Sequence, residues 1–167
     1  MRTTRTAGCN VHSRRILSTS VRGLPAMTAA AWEHFEHRAD MGVRGIGPDM
    51  AEAFAQAALA MTAIITDPAG VIPKQRVYLE CREADPELLF VDWLNQVIFE
   101  MATRGMLFSR FDVDIGDNGK LQAEIRGEAV DRSRHTPAVE IKGATFTGLA
   151  VKQRADGSWV AQCVVDV

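Results

Sequence analysis

The hydrophobic period changes along this chain, and the order of the changes limits the architectures open to it. Two blocks between residues 48 and 105 repeat apolar side chains at helical spacing, and one strand-like block separates them. From Phe108 to the end the period is two. In the first helical block Met50, Phe54, Ala57, Ala58, Met61 and Ile65 form one apolar stripe. Pro48 suits the first helical position, where its missing N–H costs nothing, and Asp49 and Glu52 fall in the first turn, where acids complement the dipole. Asp67-Pro68-Ala69-Gly70 stops the helix. Gln75 to Arg82 alternates, with Val77, Leu79 and Cys81 on one face, and reads as a half-buried strand. The second helix has Asp85 as N-cap, Pro86 as first residue and Gly105 as C-cap. Its stripe, Leu88, Leu89, Val91, Trp93, Leu94, Val97, Ile98 and Met101, is wide, with Asp92 and Gln96 on the wetter side.

In the period-two region, Phe111, Val113 and Ile115 alternate with Asp112 and Asp114. Asn118-Gly119 signals a two-residue hairpin, and Leu121, Ala123 and Ile125 continue on the partner strand. A polar connection, Asp131 to Pro137, precedes strands expected at Val139 to Thr147 and Leu149 to Arg154. Asp156-Gly157 then turns the chain into a last strand, Trp159 to Val165. At the other end, residues 32–46 read as extended, and Gly42, Gly45 and Gly47 suggest a kinked or edge strand. The expectation is a single α+β domain over residues 27–167, with two helices packed on a curved, mostly antiparallel sheet.

Charge and composition narrow the function classes. No apolar run approaches the roughly 20 residues of a membrane helix, and a cytoplasmic protein is expected. Cys9, Cys81 and Cys163 are odd in number and widely spaced, which fits reduced thiols better than a disulfide framework or a zinc site. Residues 1–26 hold Arg2, Arg5, Arg14, Arg15 and Arg22 and no acid. Removing those five from 19 basic residues leaves 14 against 21 acidic ones, a balance of −7. A body that acidic is a poor partner for a phosphate backbone, so direct nucleic-acid binding is not expected. The N-terminal stretch itself reads as a disordered tail or an over-long start with the initiator at Met27. A transit peptide and an RNA-binding arm are the competing readings.

Motifs of phosphate loops, nucleophile elbows and HExxH zinc sites are absent, and the glycines of Gly42 to Gly47 have the wrong spacing for a dinucleotide loop. His34 and His37 would point to opposite faces of a strand, which makes a shared ion difficult and favours surface or supporting roles. Asp40 lies just before a strand, and Asp166 lies just before the last residue, Val167, directly after an apolar strand. Each acid alone is unremarkable. If the fold brings them together, their carboxylates and a Val167 oxygen make an all-oxygen pocket of the kind hard cations such as Ca²⁺ prefer. If Lys142, inside an otherwise apolar strand, faces the covered side of the sheet, it needs a partner, and such a carboxylate cluster would serve. The charge-dense stretch Arg126 to His135 reads as a solvated loop.

His37-Arg38-Ala39-Asp40-Met41-Gly42-Val43 resembles the HTADIGI opening of the archease family. Glu52 to Phe54 with Ala57 to Met61 is similar to its first helix, and Leu88-Leu89 through Trp93-Leu94-Asn95 to its LLxxWLNE helix. Gly127-Glu128 with Asp131, Arg134 and His135 resembles GExxDxxRH, and Ile141 to Phe146 resembles the VKAvTyH strand. Val165-Asp166-Val167 resembles the closing xDI/V, so the likeness runs in order over about residues 33–167. It departs at Arg38, Gln96, Gly143 and Thr147, where the family pattern has threonine, an acid, alanine and histidine.

The resemblance implies two helices against a mostly antiparallel sheet and no enzymatic activity of its own. It implies an activator of an RtcB-type RNA ligase, which joins 2′,3′-cyclic phosphate or 3′-phosphate ends to 5′-hydroxyl ends in tRNA splicing. The activator would promote guanylylation of the ligase histidine, multiple turnover and broader nucleotide use. It also implies a divalent metal ion, Ca²⁺, on Asp40, Asp166 and the Val167 backbone oxygen, with His37, Glu128 and Lys142 as the candidate ligase-contact surface. The competing readings are a chaperone or modulator of nucleic-acid-processing proteins, and a small metal-dependent phosphoesterase using Asp40, His37 and His135.

Overall fold

The structure, a computed structural model, describes residues 28–167. The expectations for residues 1–26, Cys9 included, lie outside the described residues. The described residues open with a hairpin, β1 (Ala31–His37) and β2 (Asp40–Gly47), followed by α1 (Met50–Ile65), a 3₁₀ turn at Pro68–Gly70 and β3 (Gln75–Arg82). Then come α2 (Pro86–Arg104), β4 (Met106–Ile115), β5 (Lys120–Ala129), the one-turn α3 (Arg132–His135), the two-residue β6 (Gly143–Ala144), β7 (Ala150–Gln153) and β8 (Trp159–Asp166). The class is α+β, as expected, and every strand pairing is antiparallel. The strands divide between two sheets. One has the order β1-β2-β8-β6 with β7 also on β8, and the other has β3-β5-β4.

Both helices touch strands of each sheet. Small residues set how closely α1 lies on β2: a Cβ at Gly45 would stand 1.9 Å from the Ala53 carbonyl oxygen. Val43 faces the core beside Gly45, and Ala161, Cys163 and Val165 supply the same face from β8. From α2, Trp93 is fully buried and its indole N–H donates to the Phe54 carbonyl at 3.1 Å, so the largest core side chain leaves no polar atom unsatisfied. On the other side of α1, the Thr62 hydroxyl donates to the Phe108 carbonyl at 2.7 Å and ties the helix to β4.

Four local expectations are corrected. The extended stretch 32–46 is two strands, because Arg38 and Ala39 form a tight turn with Arg38 at φ +56°. Pro48 precedes the first helix; Asp49 is its N-cap, accepting from the Glu52 N–H at 2.8 Å. Residues 139–147 pair as a strand only at Gly143–Ala144. The second turn contains Asn118 and Gly119 but spans Gly116 to Gly119, with Gly119 at φ +72°.

Cys81 and Cys163 are free and buried, and burial pushes both thiols up to about 12, with Asp92 adding to the rise at Cys81. Neither is a nucleophile at neutral pH. Among the described residues, no helix is long and apolar enough to cross a membrane.

Candidate functional site

The pairing of β2 with β8 decides where the two separated acids lie. The last paired residues at this end are Met41 and Val165. One step further along an antiparallel ladder sets Asp40, the first residue of β2, beside Asp166, the last residue of β8. On the flanks His37 pairs with Asp40, and Gly143 pairs with Asp166. The end of the larger sheet is therefore a row: His37 on β1, Asp40 on β2, Asp166 on β8 and Gly143 on β6.

Alternation fixes the face. Val43, Cys163 and Val165 go to the core, so the exposed Asp40 and Asp166 stand on the face away from the helices. Like charges directly across a strand pair repel. No salt bridge among the described residues involves either of them.

Lys142 closes the row. Its backbone N–H donates to the Asp166 carbonyl at 2.8 Å, and its Nζ donates to the backbone oxygen of Val167 at 2.9 Å. The side chain is exposed rather than on the covered side of the sheet, and its partner is the Val167 oxygen at the strand end, not the two carboxylates. Asn95 holds the strand from behind: its Oδ1 accepts from the Ala144 N–H at 2.9 Å, joining α2 to β6. The sequence signal for that role was an amide within an apolar helical stripe.

No group of three or more His, Cys, Asp and Glu among the described residues is placed to hold a metal. What the row offers is two facing carboxylates and a main-chain oxygen. These hard donors suit a hard cation, and the repulsion between the carboxylates would be relieved by one.

Glu128, a candidate for the contact surface, lies apart from the row. It lies on β5 of the other sheet and is only 4 % exposed. Its Oε1 accepts from the Ile72 N–H at 2.7 Å and faces His135 Nε2 at 3.0 Å, while its Oε2 lies 2.7 Å from Arg134 and 3.6 Å from Lys74. The Asp131 N–H donates to His135 Nδ1 at 2.9 Å, so Nδ1 is the acceptor and Nε2 carries the proton that goes to Glu128. The Ile72 N–H, supported by Arg134 and His135, pulls the Glu128 carboxyl down to about 2 against the cost of burial. A carboxylate with both oxygens engaged fastens segments 70–74 and 131–135 to β5. The loop expected to be solvated is in this respect internal.

The histidines divide accordingly. His34 Nε2 lies 2.7 Å from the Ala60 carbonyl and ties β1 to α1. Among the described histidines, His37 alone borders the acidic row. With His135 held in the Glu128 network, the trio Asp40, His37 and His135 is not assembled.

Two clefts lie at the ends of the helices. One of about 480 Å³ runs between the end of α2, the start of β4 and residues 137–141, and is lined by Ile98, Met101, Val139 and Ile141 with Arg132 and Glu140 among its polar residues. The other, about 530 Å³, lies by the N-termini of α1 and α2, away from the row.

Comparison with known proteins gives a consistent picture. The model of the Archease protein family matches residues 32–167. The archease of Thermococcus gammatolerans is 34 % identical over 139 residues, covering 81 % of this chain and 98 % of that protein. The archease of Methanopyrus kandleri is 36 % identical over 139 residues, covering 81 % of this chain and 99 % of its own length. The solution structure of Methanobacterium thermoautotrophicum protein 1598 superposes with a TM-score of 0.68 at 28 % identity, covering 82 % of this chain and 99 % of that one.

Proposed function

The chain belongs to the archease family, and on that premise we propose that it is a non-catalytic activator of an RtcB-type RNA ligase. It would promote guanylylation of the ligase histidine, multiple turnover and broader nucleotide use. The observation that carries this reading is the row at the sheet end, where Asp40 and Asp166 are set side by side by the β2–β8 register and Lys142 is bonded to Val167.

The parts have separable duties. Asp40, Asp166 and the Val167 oxygen are the residues that would hold a Ca²⁺ ion. When bound, that ion supplies positive charge for the phosphate oxygens of the nucleotide at the ligase centre. Asp40 and Asp166 are held at adjacent strand ends, so little conformational freedom is lost when they take a ligand. His37 and Lys142 flank them and form the contact surface. The Glu128 network supports the segment that leads into β6. Because the body is acidic, contact with RNA is left to the ligase.

The test is guanylylation of the cognate ligase with GTP and Mn²⁺, with this protein at substoichiometric amounts. Faster label incorporation, lost in Asp166→Ala with folding intact, is expected. No stimulation of a verified cognate ligase would sink the reading. Phosphoester turnover by the isolated protein would favour the metal-dependent phosphoesterase instead.

A further inference from the structure

We propose that Lys142 is a tethered cation that holds one oxygen of the donor set until a divalent ion displaces it, so that ion binding and release of a free ammonium group are one event. The inference rests on the reading of Asp40, Asp166 and the Val167 oxygen as the ion's donors.

The side chain starts from a fixed backbone. The Lys142 N–H is bonded to the Asp166 carbonyl, and Asn95 grips the N–H of Ala144 two residues on. From that base the four-carbon stem brings Nζ to 2.9 Å from the Val167 oxygen, one of the three proposed donors. The Val167 oxygen has lone pairs for two partners, but an ammonium and a divalent ion on one oxygen would be separated by at most two bond lengths and would repel. Occupancy by one therefore disfavours the other.

The contest is winnable by the ion. The lysine is exposed, and an exposed contact of this kind holds weakly. A divalent ion carries twice the charge and adds the two carboxylates that Nζ does not bridge. A displaced lysine keeps its anchored backbone, so its ammonium remains beside the ion. The loaded end of the sheet would then present two kinds of cation together, suited to the oxygens of a polyphosphate. An isosteric neutral side chain at position 142 would leave the donor set open at all times.

The experiment uses the full chain and Ca²⁺ alone. The rate at which Lys142 is acylated by an N-hydroxysuccinimide acetate is followed by peptide mass spectrometry, with the exposed Lys152 as internal reference. Ca²⁺ is expected to raise the Lys142 rate several-fold relative to Lys152, and Asp166→Asn is expected to abolish the response. Titration calorimetry of K142M should show Ca²⁺ affinity tighter by about threefold, the scale of one exposed ion pair. Ca²⁺ heat with an unchanged Lys142 rate and unchanged K142M affinity would overturn the tether and leave the metal reading standing. No Ca²⁺ heat in either the natural chain or K142M would overturn both.

Discussion

The two charged clusters of this molecule follow opposite rules. Around Glu128 a carboxylate is buried and each oxygen is engaged, by a backbone N–H, an imidazole and two cationic side chains. Around Asp40 and Asp166 two carboxylates are exposed, adjacent and without ion-pair partners among the described residues. Burial explains the contrast. A charge removed from water must be matched inside the protein, and the matching groups then have no capacity for a ligand. A charge at a strand end stays solvated, so repulsion between neighbours is tolerated and is available to be relieved by a binding cation.

Breaking the buried cluster should have the largest effect. Glu128→Ala removes the acceptor for Ile72 and His135 and is expected to lower Tm by on the order of 10 °C, read by calorimetry. If Tm moves by less than 2 °C or so, the network is not the fastening described here.

Acid should expose the same cluster more gently. The Glu128 carboxyl is held at about 2 against an ordinary value of 4.5. A lowered folded-state value contributes stability that is present above the ordinary value and lost as pH falls from about 4.5 towards about 2. Asp131, pulled down by Ser133, adds in the same direction. Glu128→Gln should therefore be less stable than the natural chain at neutral pH and should lose less stability across that acid window. Parallel pH profiles of Tm would show that the charge contributes nothing.

The exposed cluster predicts a change of sign. Without metal, Asp40→Asn should raise stability by about 0.5 kcal/mol, because a facing like charge is removed. With Ca²⁺ present, the natural chain should gain stability in proportion to the logarithm of ion concentration and the variant should not. Equal responses of the two proteins to Ca²⁺ would remove Asp40 from the site.

The smallest effect lies between these regions, in the β1–β2 turn that sets the row. Arg38 at φ +56° is in the left-handed region, where a side chain is strained. Arg38→Gly should raise Tm by about 1 °C, since relief of strain is partly offset by the greater freedom of glycine in the unfolded chain. A fall in Tm would mean that the Arg38 side chain makes a contact worth more than the strain.

Much of the fold was legible in advance because the deciding interactions are local. Asp85, Pro86 and Gly105 delimit α2 through caps that each involve only a few neighbouring residues. The alternation in Gln75 to Arg82 marks β3 because the pleat acts on adjacent side chains. The acids of the candidate site were legible only as individuals. Glu128 looked like a loop carboxylate, since its four partners come from residues 72, 74, 134 and 135 and only the fold gathers them. The β1–β2 turn has no sequence signal, because Arg38-Ala39 carries no glycine or asparagine to announce it.

The residue order thus determines where helices start and stop, which face of each is apolar, and that the last third of the chain forms strands. Those are short-range matters of caps, turns and period. Tertiary structure alone decides that Asp40 meets Asp166 and that Glu128 does not join them. Strand register is set by long-range packing: α1 must lie close against Gly45, with the core faces of β2 and β8 turned together. A one-residue slip in that register would turn the core residues of one strand outward, so the buried face holds the exposed carboxylates in line.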